Sequence, residues 1–452
     1  MHGNKSPVRP IFWAPFLGFF CGAMLLNSPA YGQTLQEAYG LAQQNDPKFR
    51  AATADFRANG LAADQARAAY RPTAKFEFEN TSTQQRILSS QNPIFGPGET
   101  NFPTTVQTLS ITQAIYRKDL LERMSQSKVV VRQAELTFRA AEQDLQLRTT
   151  ASYLVVLAAR DSLALATAER EAVGKTLDLA REKLKMGLGT ITIQHDATAR
   201  FAVARAREIE AQNKLADAKQ GLREITGAEI ETLQTLRNEM ALEKPEPTNV
   251  ESWLETAVAQ NIGLQAKSEA IEVARLEYER QRSGHFPSLN LLVNHTQRDA
   301  GSTLFGGGSN VETTDVTVRL TIPLYEGGLT TAVTQEAVYR QQKAREDYEQ
   351  ERRAVERAIR AYFSGVSGGV ELVQALGQSV VAQQRALQAM EEGFKSGLFT
   401  LMPVLDAQRD LFLAKRDYAQ ARYDYLLYRL RLKQAVGTLS DADLTAIYAA
   451  LE

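Results

Sequence analysis

The feature that most constrains this chain is that it states one long pattern twice. Phe286-Pro287-Ser288-Leu289-Asn290-Leu291 echoes Tyr70-Arg71-Pro72-Thr73-Ala74-Lys75-Phe76, and Ile322-Pro323-Leu324-Tyr325-Glu326-Gly327-Gly328-Leu329 echoes Gln113-Ala114-Ile115-Tyr116-Arg117-Lys118-Asp119-Leu120. The register holds over most of each copy. Tyr116 and Tyr325, like Tyr153 and Tyr362, are 209 residues apart, and Gly187–Gly397 and Gly227–Gly437 are each 210 apart. A period this long exceeds any solenoid unit, so each copy is a set of elements and the fold has two structurally equivalent halves.

The composition suits long helices better than compact globules. The 452 residues are rich in Ala, Gln, Glu, Arg and Leu, and aromatic residues make up only 8%, as expected of narrow-cored helical bundles. With 52 basic and 53 acidic residues, interspersed as on solvated helix faces, there is no footprint for nucleic acid. At the N-terminus Lys5 and Arg9 precede an uncharged apolar run from Ile11 to Leu26, followed by Ala30-Tyr31-Gly32. This is a secretory signal over residues 1–32, cleaved between Gly32 and Gln33. Pro15, Gly18 and Gly22 interrupt a run that is short for a membrane span.

Cleavage leaves 50 basic and 53 acidic residues and removes Cys21, the only cysteine. The mature chain then has no disulfide, no thiol chemistry and no cysteine metal site. Phe19-Phe20 before Cys21 is not a lipoprotein context. Beyond the signal no continuous apolar run is long enough for a transmembrane helix. Periplasm, secretion or an outer-membrane barrel remain.

Along the chain, a helix is expected from Leu35 to Ala69, closed by Pro72. The period then changes from 3.6 to 2: Ala74, Phe76 and Phe78 alternate with Lys75, Glu77 and Glu79, a strand with one apolar and one charged face. A loop from Arg86 to Pro103 leads to a second strand. Strands are expected at 73–85 and 104–116. From Lys118 to Met186 a 3/4 spacing (Ala134, Phe138, Ala141, Leu145, Val156, Ala159, Leu163, Ala166) predicts a coiled-coil seam with small knobs on a rod of about 100 Å. Gly187-Leu188-Gly189-Thr190 breaks it, and a helix returns to Thr226. The second half repeats each step: a helix over Val250–Arg282, strands at 288–298 and 312–325, a helix over Leu329–Lys395, a break at Ser396-Gly397-Leu398-Phe399, and a helix to Val436. The expected divisions are a first repeat at 33–227, a linker at 228–250, a second repeat at 251–437 and a tail at 438–452.

Four amphipathic strands of about ten residues have the length of tilted barrel strands. Four cannot close a barrel, and open edges cannot sit in lipid, so other subunits must complete the sheet. Three chains would give twelve strands. Lys75, Glu77, Glu79 and Arg319 would line a polar lumen, with Phe76, Phe78, Val316 and Val318 toward lipid. The competing reading, a small soluble sheet capping a bundle, would bury Glu77 and Glu79 against a core at high cost.

These motifs, together with Pro72 and Pro287 at the helix-to-strand junctions and the Gly397-Leu398…Val404-Leu405-Asp406-Ala407 turn, resemble the TolC family of outer-membrane channel-tunnels over about Leu35 to Ala450. The resemblance implies an α+β membrane protein: a homotrimer whose twelve-stranded barrel continues into a helical periplasmic tunnel. It also implies a conduit without catalysis or cofactor. Its partners would be a periplasmic adaptor and an inner-membrane ABC transporter or proton-driven pump, and its site the outer membrane. Gly187, Leu188, Gly397 and Leu398 match the adaptor-contacting tip turns. Where the best-known member closes its aperture with a tyrosine, an arginine and two aspartates, this chain has Phe394, Phe399, Pro403 and Asp406. Asp196 holds the place of Asp406 in the first half. Three chains would then bring up to six carboxylates near the aperture, a cation-attracting ring, with Phe394 and Phe399 closing it by apolar packing. The missing lipid-attachment cysteine favours type I protein secretion over the alternative of drug or metal efflux.

Enzyme signals are weak. Gly365-Val366-Ser367-Gly368-Gly369 matches a nucleophile elbow but lies inside a predicted helix, without the strand-to-helix turn such a serine needs. Its glycines instead let helices approach closely. His195, His285 and His295 show no metal-ligand spacing, and Gly306-Gly307-Gly308 precedes a strand, not a helix. A more distant alternative is a soluble periplasmic coiled-coil adaptor, which would have no use for four lipid-length strands.

Overall fold

The computed structural model describes residues 34–91, 97–230, 233–237, 240–302, 306–449 and 451; the signal expected over residues 1–32 lies outside them. Two helical hairpins form the body. One pairs α4 (Lys118–Lys185) with α5 (Ile191–Thr226), the other α8 (Leu329–Lys395) with α9 (Leu401–Val436). α4 has 68 residues and α8 has 67, each about 100 Å long at the α-helical rise. α5 buries Ala197, Ala204, Ala211 and Ala218, one every seventh residue; that spacing with small knobs lets the two helices lie close along a shared seam. In α4 the buried Val156 and Ala166 lie within reach of this seam, while the buried Ala134 and Leu145 lie beyond the end of the shorter α5. Phe138 turns instead to α2, stacking on Phe49 and Phe56 at 5.6 and 5.0 Å between ring centroids.

In the second hairpin the G-x-S-x-G string is mid-helix, as expected. A Cβ at Gly365 would stand 2.8 Å from the Tyr428 ring, and one at Gly369 3.5 Å from Tyr425. Gly365 makes room for the Tyr428 ring of α9, whereas Gly369 would accept a Cβ in ordinary contact, and no strand presents Ser367 as a nucleophile.

Each half opens with broken helices where the apolar period predicts one. α1 (Leu35–Asn45), α2 (Pro47–Gly60) and α3 (Ala62–Tyr70) replace the first; α6 (Val250–Gln260) and α7 (Ile262–Arg282) replace the second. Capping decides the breaks after α1 and α6, whereas the one at Leu61 has no side-chain cap. The Asp46 carboxylate accepts from the Phe49 amide at 2.9 Å with Pro47 as the next residue, and the Asn261 side chain accepts from Leu264 at 2.9 Å. An Asp or Asn acceptor and a proline at the first helical position favour a new start over continuation. Arg148 of α4 then holds Asp46 at 2.7 Å.

The strands β1 (Thr73–Ile87), β2 (Gly98–Tyr116), β3 (Ser288–Ala300) and β4 (Ser309–Thr321) form one antiparallel sheet in the order β1-β2-β3-β4. Both hairpins zip further outward than expected, to the pairs Ile87↔Gly98 and Ala300↔Ser309. β4 stops at Thr321, not 325, because Pro323 has no amide to donate and Gly327 and Gly328 turn left-handed at φ 62° and 86°.

The stretch expected as a linker at 228–250 is docked rather than free. Tyr153 accepts from the Gln234 amide at 3.1 Å, and Arg160 donates to the Leu233 and Gln234 carbonyls at 2.9 and 3.3 Å. The Tyr425 hydroxyl holds both the amide and the carbonyl of Glu243. The tail contributes a helix, α10 (Asp441–Ala449), whose Leu444 and Ile447 are buried, and Leu451 bridges to Leu236. This belt covers the largest core, built on Tyr153, Leu157, Ile359, Trp253, Tyr423 and Tyr425. α4 does contain an 18-residue window apolar enough by composition to cross a bilayer, contrary to the reading of the bare sequence. The helix packs on α5, α7 and α9, and 22% of that window is buried within the chain.

Candidate functional site: the uncovered sheet and the helical tip

The register of the sheet sorts its two faces. Lys75, Ser110, Asn294 and Asp315 stand in one row across all four strands, with Glu77, Thr108, Thr296 and Thr313 in the next. By the two-residue period of a strand, Glu79 and Arg319 share that polar face. The opposite face carries the row Ala74, Ile111, Val293 and Val316, then a row that starts with Phe76 and Leu109 and ends with His295 and Thr314, with Val318 and Leu320 beside Leu291 and Leu289. Among the described residues no helix packs on either face. Phe76, Val316 and Val318 are 66%, 69% and 63% exposed. A contiguous uncovered apolar face of this kind marks an interaction surface. Among the described residues, the outer edges of β1 and β4 have no strand paired on them within the chain.

The far ends of the helices turn in matching ways. At the end of α4 the Leu188 amide donates to the Lys183 carbonyl at 2.8 Å and Gly187 to Leu184 at 3.0 Å; after α8, Leu398 donates to Gly393 at 2.8 Å and Gly397 to Phe394 at 3.1 Å. This pair of bonds needs a left-handed residue, supplied by Gly187 at φ 71° and Gly397 at φ 79°. Leu188 and Leu398, one residue on, project outward at 73% and 77% exposed.

The four residues expected at the aperture are distributed unequally. Asp196 and Asp406 are brought together, and both are engaged by Arg200: Nε lies 2.9 Å from Asp196 and Nη1 2.8 Å from Asp406. Arg409 approaches Asp406 at 3.6 Å and pairs with Asp410 at 2.9 Å. Partial burial works against the Arg200 cation, yet the two aspartate hydrogen bonds prevail and hold its pKa above the ordinary arginine value. Phe394 lies between the hairpins, in contact with two apolar clusters, one of Val173, Leu177, Ala180, Ala197, Leu401 and Leu405, the other of Leu387, Val404 and Leu411. The Lys183 ammonium sits 4.0 Å from its ring centroid. Phe399 is elsewhere: its ring covers Gly393, where any Cβ would collide with it. The sequence reading missed Arg200 and Lys183. The i,i+4 spacing of Asp196 and Arg200 was a signal for one of these contacts; the contacts to Asp406 and Phe394 join separate hairpins and left none.

Comparison with known proteins bears on the family and the overall fold. The outer membrane efflux protein family matches residues 38–228 and 253–438, once in each half. Outer membrane protein TolC of Vibrio cholerae serotype O1 is 32% identical over 448 residues, covering 98% of each chain. The alkaline protease secretion protein AprF of Pseudomonas aeruginosa is 27% identical over 428 residues, covering 94% of this chain and 89% of that protein. Among solved structures, the CmeC outer membrane channel of Campylobacter jejuni superposes with a TM-score of 0.77 over 98% of both chains at 14% identity, a likeness in fold alone.

Proposed function

The chain belongs to the outer membrane efflux protein family, whose members are outer-membrane channels and not enzymes, and from that premise we propose that three copies form an exit duct for type I protein secretion. The observation that carries the reading is the sheet: two open edges, one polar face, one uncovered apolar face, set at one end of hairpins about 100 Å long. Lipid on the apolar face and neighbouring copies at the edges would satisfy both demands at once. In a twelve-stranded closure Lys75, Glu77, Glu79 and Arg319 line the lumen. A soluble adaptor would leave the apolar face in water.

At the other end the tip faces the periplasm. The turns at Gly187-Leu188 and Gly397-Leu398 offer two exposed leucines on rigid left-handed caps, which suits contact with a periplasmic adaptor and, through it, an inner-membrane ABC transporter. Asp406, through Arg200, and Phe394 hold the two hairpins together at the aperture, with Asp196 orienting Arg200 and Phe399 packing the turn beside them. Protein export is favoured over small-molecule efflux by relatives named for protease secretion, AprF and the Dickeya chrysanthemi protein PrtF, which is 26% identical over 432 residues.

Deletion of the gene in its host tests the cargo class. Loss of one or a few extracellular proteins, restored by the intact chain and not by a Leu188→Asp/Leu398→Asp form that still assembles as a trimer, is expected. Unchanged secretion with raised sensitivity to drugs or metals would instead assign the duct to efflux.

A further inference from the structure

Asp196 and Asp406 occupy equivalent places in the two halves, 210 residues apart, and so do Arg200 and Asp410. A strict repeat would therefore have put another carboxylate at position 200. The chain carries a guanidinium there instead, and it lies between the two aspartates at 2.9 and 2.8 Å. We infer that Arg200 sets the ion selectivity of the aperture, converting a cation-trapping carboxylate ring into one that is largely self-neutralised.

The charges bear this out locally. Around this point of one chain stand Asp196, Asp406 and Asp410 against Arg200 and Arg409, a net of one negative charge. Arg200 is the only one of these cations that contacts both halves of the pair. Its side chain is less exposed, at 24%, than those of Asp196 and Asp406, at 36% and 46%, so the cation is tucked behind the carboxylates it serves. Without it each chain would present two net negative charges, doubling the negative charge of the ring in a trimer. Hydrogen bonding also matters: an aspartate oxygen already accepting a charged N–H is a poorer ligand for a passing cation. The inference rests on the trimeric channel reading and adds to it a named determinant of what the entrance attracts.

The test is conductance of the purified full-length mature protein in planar lipid bilayers, with lanthanum(III) chloride added to the periplasmic side. Three added negative charges acting on a trivalent ion across about 9 Å, screened at physiological salt, correspond to about tenfold. Arg200→Gln is accordingly expected to lower the blocking concentration of lanthanum about tenfold and to raise the cation-to-anion permeability ratio. Arg200→Lys, which keeps the charge, should stay near wild type, and Arg200→Gln/Asp406→Asn should return toward it. A structural role alone would not be rescued by lysine and would not be reversed by removing the aspartate. Wild-type channels that conduct normally but are blocked by lanthanum as strongly as Arg200→Gln channels would overturn the inference and leave the channel intact. A wild-type protein that inserts and never conducts would remove the channel reading and this inference together.

Discussion

Phe394→Ala should loosen the closed tip, and the size of the effect can be worked from its surroundings. The ring is half-buried between the apolar clusters of the two hairpins, with the Lys183 ammonium 4.0 Å from its centroid. Half-burial of a phenylalanine is worth about 1–1.5 kcal/mol, and a partly desolvated cation–π contact about 0.5–1 kcal/mol. Truncation therefore costs about 2 kcal/mol of hairpin-to-hairpin adhesion per chain, a factor of roughly 30 in an opening equilibrium. If three chains open in concert, the open population rises on the order of ten thousandfold.

Single-channel recording separates these cases. Phe394→Ala should lengthen and enlarge openings, Phe394→Tyr should behave like wild type, and Lys183→Met, which removes only the cation, should have an effect of about threefold. If Phe394→Ala channels gate like wild type, or if Lys183→Met is the stronger variant, the apolar latch is not what holds the hairpins and the argument from packing fails.

Three further outcomes follow from the same geometry. Gly365→Ala should lower the thermal midpoint of the detergent-purified protein, because overpacking against the Tyr428 ring, itself 6.5 Å from Tyr362, costs about 1–3 kcal/mol against a helix-propensity gain of about 1 kcal/mol; Gly369→Ala, in ordinary contact with Tyr425, should raise it. On the sheet, Phe76→Lys should cost about 2–4 kcal/mol of barrel stability if that side chain faces the bilayer interior, while Glu77→Lys should leave folding in lipid vesicles unchanged and alter only conductance. Burial opposes the Glu277 carboxylate, but hydrogen bonds from Arg280, Gln281 and Gln126 together outweigh it and hold its pKa down to about 2. Its folded-state pKa being depressed, its contribution is complete above about pH 4.5 and is lost as pH falls toward 2. Urea denaturation of Glu277→Gln should therefore show a flatter loss of stability over that window than wild type.

What could be read from the sequence, and what could not, divides along a physical line. Features written in one local period were legible: the two-residue alternation of Ala74–Glu79 and Val316–Ile322, the 3.6-residue seam of α4, and the glycines of the tip turns. The helix breaks at Asp46-Pro47 and Asn261 are written in capping residues, but the apolar period continues across them and masks them. The belt over 228–250 buries Ile230 and Leu236 in the core and packs Leu233, Met240 and Leu242 against it without a regular period; the groups that fasten it, Tyr153, Arg160 and Tyr425, sit on other helices and name no partner by themselves. The aperture was hardest, since the residues that meet there are 206 apart in sequence. Yet the duplication itself held a clue. Two equivalent halves that pack on each other bring like positions together, so like charges such as Asp196 and Asp406 must meet unless the copies diverge. Divergence at Arg200 against Asp410 gives up the symmetry of the two copies at one contact that joins the hairpins. In a duplicated chain, the positions at which the repeat fails are therefore places to look for contacts between the halves, because a perfectly symmetric tip would set carboxylate against carboxylate at this point.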